Sequence, residues 1–279
     1  RLYMSNKCLL IADHKSVDKQ IHIFNKNDFS YLTSIGNFGE GPEEITVMGC
    51  LAIDEAHHQL YVSDHAKQKI FSYDMDSVMV DSLYKPQVKT AMNETLFPSE
   101  YQYINDTLSI AVLIKPTSTS TFNQFLGRWN MNTGEMIPMK YTHPDIQKKR
   151  ITFAASEKAG IYVECYTRHD LMTICSLDGE LLYNIYGPDW DGGNGNKLQS
   201  FGTVMIGNDK IFVSYCGEDY ARDSFPTKIL VFDLEGNYLK TLETGYKISD
   251  CCYDSFNNRI ILSLNDVVQF AYLDIDGII

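Results

Sequence analysis

GCLAIDEAHHQLYVSDHAKQKIFSYDMDSVMVDSLY, Gly49 to Tyr84, is the stretch that decides the fold. It divides into four short runs: Gly49 to Asp54, Gln59 to Asp64, Lys69 to Asp74 and Val78 to Tyr84. Each is apolar or alternating and rich in β-branched and aromatic residues. Clusters of Asp, Ser, His and Lys separate them. Four such runs in succession predict an antiparallel meander, the unit from which a β-propeller blade is made.

Outward from this stretch the same grammar recurs. Strands equivalent to the one at Gly49 are predicted near Leu2, Tyr101, Ile151, Gly202 and Ser249, a spacing of roughly 50 residues that suits propeller blades. A second strand follows each: CLLIAD at Cys8, LYVSD at Leu60, LSIAVLI at Leu108, IYVECY at Ile161, IFVSYC at Ile211 and IILSL at Ile260. Third strands follow in turn, among them IHIFN at Ile21, KILVFDL at Lys228 and VQFAYLD at Val268. The predicted fold class is all-β, a six-bladed β-propeller of four-stranded antiparallel blades. It forms one domain over residues 1–279, with blades near 1–36, 49–84, 101–141, 150–187, 202–245 and 249–279. The turns before the fourth strands, NTGE at Asn132, LDGE at Leu177, LEGN at Leu234 and DIDG at Asp274, carry the glycines that tight hairpins require. The last blade has only the stub Gly277 to Ile279 for a fourth strand, and the one short helical possibility lies between Pro86 and Pro98.

Loop lengths separate two faces. Turns between first and second strands, and between third and fourth, are short. The opposite face carries HKSVDKQ from His14, IKPTSTSTFNQ from Ile114 and GEDYARDSFPT from Gly217, with the blade connections from Gly36, Lys85, Tyr141 and Gly187. Long loops on a rigid scaffold are where binding groups collect, so function is expected on that long-loop face.

Composition narrows the choice of partner. With 36 acidic against 24 basic residues the net charge is −12, which disfavours nucleic acid and anionic lipid. No run approaches the ~18 apolar residues that a transmembrane helix needs, and a monomer is expected. The seven cysteines, Cys8, Cys50, Cys165, Cys175, Cys216, Cys251 and Cys252, lack zinc-site spacing and mostly sit in apolar runs, as buried small residues do. Cys165 and Cys175, about equidistant from a turn near Asp170, are the one pair that a hairpin could bring face to face.

The connection SIGNFGEGPEEI, Ser34 to Ile45, resembles the blade-connecting G-x-G-P-G-E segment of the TolB-like and NHL-like six-bladed propellers exported by Bacteroides-type bacteria. Gly39, Gly41, Pro42 and Glu44 match, whereas Glu43 stands where those proteins carry glycine. The resemblance implies a periplasmic protein or cell-envelope lipoprotein whose signal segment is absent from this chain, and it implies no enzyme class. The start at Arg1, inside an apparent strand, fits a removed upstream segment.

Candidate sites follow from the loops. Glu44, Glu100, Arg150, Gln199 and Asp250 stand where first strands begin, at the channel mouth. Glu44, Glu100 and Asp250 are the weak candidates for a divalent cation there, and Arg150 favours an anionic group. Tyr166, Arg168 and His169 of blade four, with Tyr215, Glu218, Asp219 and Arg222 of blade five, make an aromatic and charged set of the kind found at binding surfaces. DWDGGNGN, Asp189 to Asn196, breaks the EF-hand pattern, and its Trp190 reads as an exposed anchor for a sugar or peptide. Asp13-His14 and Asp64-His65 recur at the ends of second strands, where an Asp hydrogen-bonds the following loop. The expected function is binding of a protein, peptide or glycan on the long-loop face, with no cofactor and no catalytic residue assigned. The alternative is a metal-dependent lactonase, hydrolase or lyase at the channel mouth. No G-x-S-x-G or H-E-x-x-H motif is present.

Overall fold

The computed structural model describes residues 1–194, 197–222 and 224–279. Its strands form six successive antiparallel sheets, the blades of a six-bladed β-propeller. Blade one holds β1 (Leu2–Met4), β2 (Cys8–Ala12), β3 (Lys19–Asn25) and β4 (Tyr31–Asn37). Blade two holds β5 (Met48–Asp54), β6 (Gln59–Asp64), β7 (Lys69–Asp74) and β8 (Gln87–Ala91). Blade three holds β9 (Phe97–Asn105), β10 (Leu108–Pro116), β11 (Phe122–Trp129) and β12 (Met136–Pro138). Blade four holds β13 (Ile151–Ser156), β14 (Ile161–Tyr166), β15 (Leu171–Ser176) and β16 (Leu181–Tyr186). Blade five holds β17 (Leu198–Gly207), β18 (Lys210–Asp219), β19 (Lys228–Asp233) and β20 (Tyr238–Glu243). Blade six has three strands, β21 (Ile248–Asp254), β22 (Arg259–Leu264) and β23 (Phe270–Asp274).

Burial explains why the second strands read as continuous apolar runs. Every residue of β14, IYVECY, is buried, and Val163 and Cys165 on one of its faces pack against blade five. Outer strands such as β20, YLKTLE, are largely exposed and more polar. The turn glycines Gly134, Gly179, Gly236 and Gly277 have φ between 72° and 88°, as their hairpins require.

The chain divides into two compact units, Arg1–Pro138 and Met139–Ile279, of three blades each. In the first, Leu10, Ile23, Leu60, Val62 and Phe71 fill the space between blades one and two. Ile70, Tyr101, Leu113 and Trp129 do the same between blades two and three. In the second, Val163, Met172, Ile174 and Val213 join blades four and five, and Phe212, Val231, Ile260 and Leu262 join five and six. Innermost strands lie side by side within each unit: β5 by β9 in the first, and β13 by β17 by β21 in the second.

Three expectations are corrected. Residues 78–84 are not the fourth strand of blade two. Asp74 caps a helix, α1 (Met75–Val80), by accepting the Ser77 N–H at 2.7 Å, and Val78 is buried against the blade. The fourth strand is β8, and it occupies the Pro86–Pro98 segment in place of the expected short helix. Cys165 and Cys175 do not face each other either: Cys165 pairs with Met172 and Cys175 with Tyr162, and all seven cysteines are free and buried.

The recurring Asp does hold its loop. Asp64, fully buried, accepts from the N–H groups of Thr46 (2.8 Å), Val47 (3.2 Å), Ala66 (3.0 Å) and Lys67 (3.2 Å). Asp13 accepts from Lys15 N–H at 3.0 Å. The carboxylate thereby replaces hydrogen bonds that the turning backbone cannot make to itself.

Candidate functional site

In the second unit, two blade connections, the four-residue loop after β14 and the loop after β18 line a cleft of about 660 Å³. The connection into blade four, YTHPDIQKKR, contributes Asp145, Gln147, Lys148 and Arg150. The loop between β14 and β15 contributes Thr167, Arg168 and His169. Gly193 and Asn194 come from the connection between blades four and five, and Tyr220 from the 3-10 turn Tyr220–Arg222 after β18. Three cationic side chains thus face one carboxylate, a local reversal of sign in a chain of net charge −12.

Behind the walls lies a buried ionic anchor. Lys149, between the cleft residues Lys148 and Arg150, donates to Glu164 Oε1 at 2.8 Å, and Tyr166 Oη donates to Glu164 Oε2 at 3.0 Å. Lys149 is 8% and Glu164 2% exposed. Removing charge from water at both residues is costly, and their short contact and the extra phenol bond offset it. The pair joins the incoming connection to β14, the strand that leads into Thr167–His169. Arg150 in turn donates to Lys149 O at 2.7 Å, and Thr167 N–H donates to Arg150 O at 3.0 Å, so the two walls are stitched backbone to backbone.

Arg168 lies flat on Tyr220, its guanidinium carbon 3.9 Å from the ring centroid. Its Nε is buried and has no hydrogen-bond partner among the described residues. His169, 5% exposed, packs edge-on against Tyr166 and tilts against Trp190, with ring centroids at 6.1 and 6.2 Å. Its Nδ1 is also without a partner among the described residues. Burial pushes the His169 imidazole below its ordinary range and favours the neutral ring, the Asp191 carboxylate pulling the other way.

Trp190 is not an exposed tip. Its indole packs against Tyr186 (5.0 Å), His143 (5.3 Å) and His169, forming a half-buried aromatic knot beneath the loop. His143 Nε2 and Tyr186 Oη lie 2.9 Å apart and close the knot. Asp170 fixes the same loop from below, accepting Asp189 N–H at 3.0 Å and Tyr215 Oη–H at 3.2 Å. Burial pushes its carboxyl above the usual carboxylate range. Two glycines permit this closeness: a Cβ on Gly187 would lie 2.0 Å from Asp170 Oδ2, and one on Gly193 would lie 2.4 Å from Asp145 O. Part of the Asp189–Asn196 stretch, Gly195 and Asn196, lies outside the described residues.

Of the residues proposed from sequence, the structure brings Arg150, Arg168 and His169 to one cleft. Tyr166 is fully buried beneath it, Tyr215 is spent on Asp170, and Arg222 ends the exposed 3-10 turn. Asp250 is 8% exposed and accepts from Thr203 Oγ1 at 3.0 Å. In the first unit, Glu100 pairs with Arg1, while Glu44 folds back to accept Gly41 N–H at 2.8 Å. A Cβ on Gly39 would meet the Glu44 carboxylate at 2.0 Å, so the glycines of this connection make room for the Glu44 side chain. Among the described residues, no group of three or more His, Cys, Asp or Glu side chains is placed to hold a metal ion. Lys148, Asp145 and Tyr220 escaped the sequence reading, although the run QKKR before β13 is a visible cationic signal.

Residues 1–126 match the model of a family, DUF5128, described as 6-bladed beta-propeller. No curated protein matches the chain. Among solved structures, a protein of unknown function from Bacteroides caccae aligns with TM-score 0.56 and 12% identity over 98% of this chain and 92% of that one. A member of the duf4221 family from Bacteroides vulgatus aligns with TM-score 0.63 and 10% identity, over 98% and 92%. A third, named "Putative exported protein", from Bacteroides fragilis, aligns with TM-score 0.58 and 15% identity, over 95% and 78%. At such identities the likeness is one of fold. Among the described residues, no helix is long and apolar enough to cross a membrane.

Proposed function

We propose that this chain is a monomeric, single-domain binding propeller of the bacterial cell envelope, of the TolB-like and NHL-like kind, that takes its ligand in the blade-four cleft of the long-loop face. One observation carries the reading. The cleft holds two buried polar atoms, Arg168 Nε and His169 Nδ1, without partners among the described residues, and a buried donor left unmade costs about 1–3 kcal/mol. A ligand seated against Arg168 and His169 would supply the missing partners. Location in the periplasm, or on a lipid anchor, is supported by the likeness to the Bacteroides fragilis chain named "Putative exported protein" and by the Ser34–Ile45 connection.

The test is a glycan and peptide array probed with the wild-type chain and with Gln147→Trp. Gln147 is exposed on the cleft wall, so an indole there obstructs the cleft without disturbing the core. Ligands that bind wild type and not the plugged variant support the cleft. If every ligand found binds both equally, the site is elsewhere.

A further inference from the structure

We propose that the cleft receives an acidic saccharide, whose carboxylate or sulfate docks on Arg168 and His169 while its hydroxyl groups engage the remaining polar wall. The inference rests on the cleft being the binding site and adds the chemistry of what fills it.

Charge is the first argument. Among the described residues, Lys148, Arg150 and Arg168 line the cleft against one carboxylate, that of Asp145. On a chain this acidic, a cationic concavity concentrates anions locally while the rest of the surface repels them. Geometry is the second. Stacking on Tyr220 fixes the plane of the Arg168 guanidinium at the cleft wall, and its Nε has no partner among the described residues. A guanidinium edge offers two parallel N–H groups, the fork that grips a carboxylate or sulfate through two oxygens. The next residue, His169, is 95% buried by its 5% exposure, and its Nδ1 is likewise unpartnered among the described residues. Two adjacent residues of the cleft lining thus each carry one unmet polar atom.

The wall chemistry selects the rest of the ligand. Among the described residues no aliphatic side chain lines the cleft, and the ring of its one tyrosine, Tyr220, is already covered by Arg168. A peptide draws most of its affinity from apolar anchors seated in pockets, and nothing here would seat one. Asp145, Gln147, Thr167 and Asn194 instead supply the mixture of donors and acceptors that a polyhydroxylated ring needs. The volume of about 660 Å³ lies within the range of small-ligand sites.

Isothermal titration of the full chain tests this with four probes: trigalacturonate, a sulfated chondroitin tetrasaccharide, neutral maltotriose and hexaglutamate. The expected result is binding of at least one acidic saccharide that weakens as salt rises, and none of maltotriose. Because the chondroitin tetrasaccharide carries uronate carboxylates as well as sulfates, comparing it with its desulfated form identifies the oxyanion as carboxylate or sulfate. Arg168→Gln should weaken that binding by about ten- to a hundredfold, the value of a charged hydrogen bond. Lys148→Ala, on an exposed side chain whose loss leaves the core intact, should weaken it several-fold. Maltotriose or hexaglutamate binding as tightly as the acidic saccharides, an Arg168→Gln affinity equal to wild type, or no acidic saccharide bound at millimolar concentration would each overturn the inference. Gln147→Trp separates the two levels. If a neutral or peptide probe binds wild type and not this variant, the cleft stands and its assigned chemistry falls. If no probe distinguishes them, both fall.

Discussion

Replacing Glu164 by leucine removes one side of the buried anchor behind the cleft and leaves the other charged. Lys149, 8% exposed, would lose its partner at 2.8 Å, and Tyr166 would lose the acceptor at 3.0 Å. Stranding one member of a buried ion pair costs about 3–5 kcal/mol, because the remaining ammonium is neither solvated nor neutralised. At ~2.1 cal/mol/K per residue, 279 residues give an unfolding entropy of about 0.6 kcal/mol/K. The expected fall in Tm is therefore about 5–8 °C, read by calorimetry or circular dichroism at pH 7. The double variant Lys149→Met/Glu164→Leu is the decisive comparison. It leaves no buried charge, and apolar replacements of ion pairs are often neutral or stabilising, so most of the loss should be recovered. A single variant as stable as wild type, or a double variant that loses the sum of the two singles, would refute the reasoning. Loss of acidic-ligand affinity in Glu164→Leu at a temperature where it remains folded would further show that the anchor positions Lys148 and Arg150.

Gly187→Ala would drive a methyl into the Asp170 carboxylate, 2.0 Å from the position a Cβ would take, and release Asp189 N–H and Tyr215 Oη–H. We expect a loss of about 2–4 kcal/mol in denaturant melts, with Asp170→Asn a milder change that keeps the phenol bond. Burial lowers the imidazole pKa of His65, His143 and His169 in the folded chain. These groups stabilise the fold above their unfolded value, and that contribution is lost as pH falls through and below about 6.5. Urea midpoints at pH 7 and pH 5 should fall accordingly, and the His143→Phe variant should show a smaller fall. Seven buried thiols, whose pKa burial raises at Cys8, Cys50 and Cys175 among others, should react negligibly with a thiol reagent when native and completely in guanidinium. A rapidly reacting native thiol would contradict the packing.

The repeating part of the fold was legible because its cause is local. Each blade's central strand is covered on both faces, so runs such as IYVECY and LYVSD reveal themselves without any knowledge of their partners. Blade two deceived because MDSVMVD is apolar and β-branched enough to pass for a strand. The Asp74 cap followed by Ser77, with Met75, Val78 and Met79 on one face, is the helical signal that outweighed it. At the site, Arg168 and His169 could be placed on the correct loop, but not their unmet atoms, since satisfaction of a hydrogen bond depends on distant chain. Trp190 misled for the same reason: only the fold brings His143 to its face. Tyr166, too, ends a strand in sequence yet lies wholly beneath the surface.

The detour in blade two carries a lesson for engineering. Between β7 and β8 the chain leaves the sheet, builds a capped helix over Met75–Val80 and returns, and Lys69 still pairs with Ala91 and Ile70 with Thr90. The sheet specifies where the strand must re-enter and is indifferent to the path taken. Lengthening a closing loop threefold costs only about 1 kcal/mol. The hairpins at Asp178–Gly179 and Glu235–Gly236 occupy the corresponding turn of blades four and five. They are therefore natural ports for grafted helices, epitope tags or reporter peptides, on the face opposite the long loops.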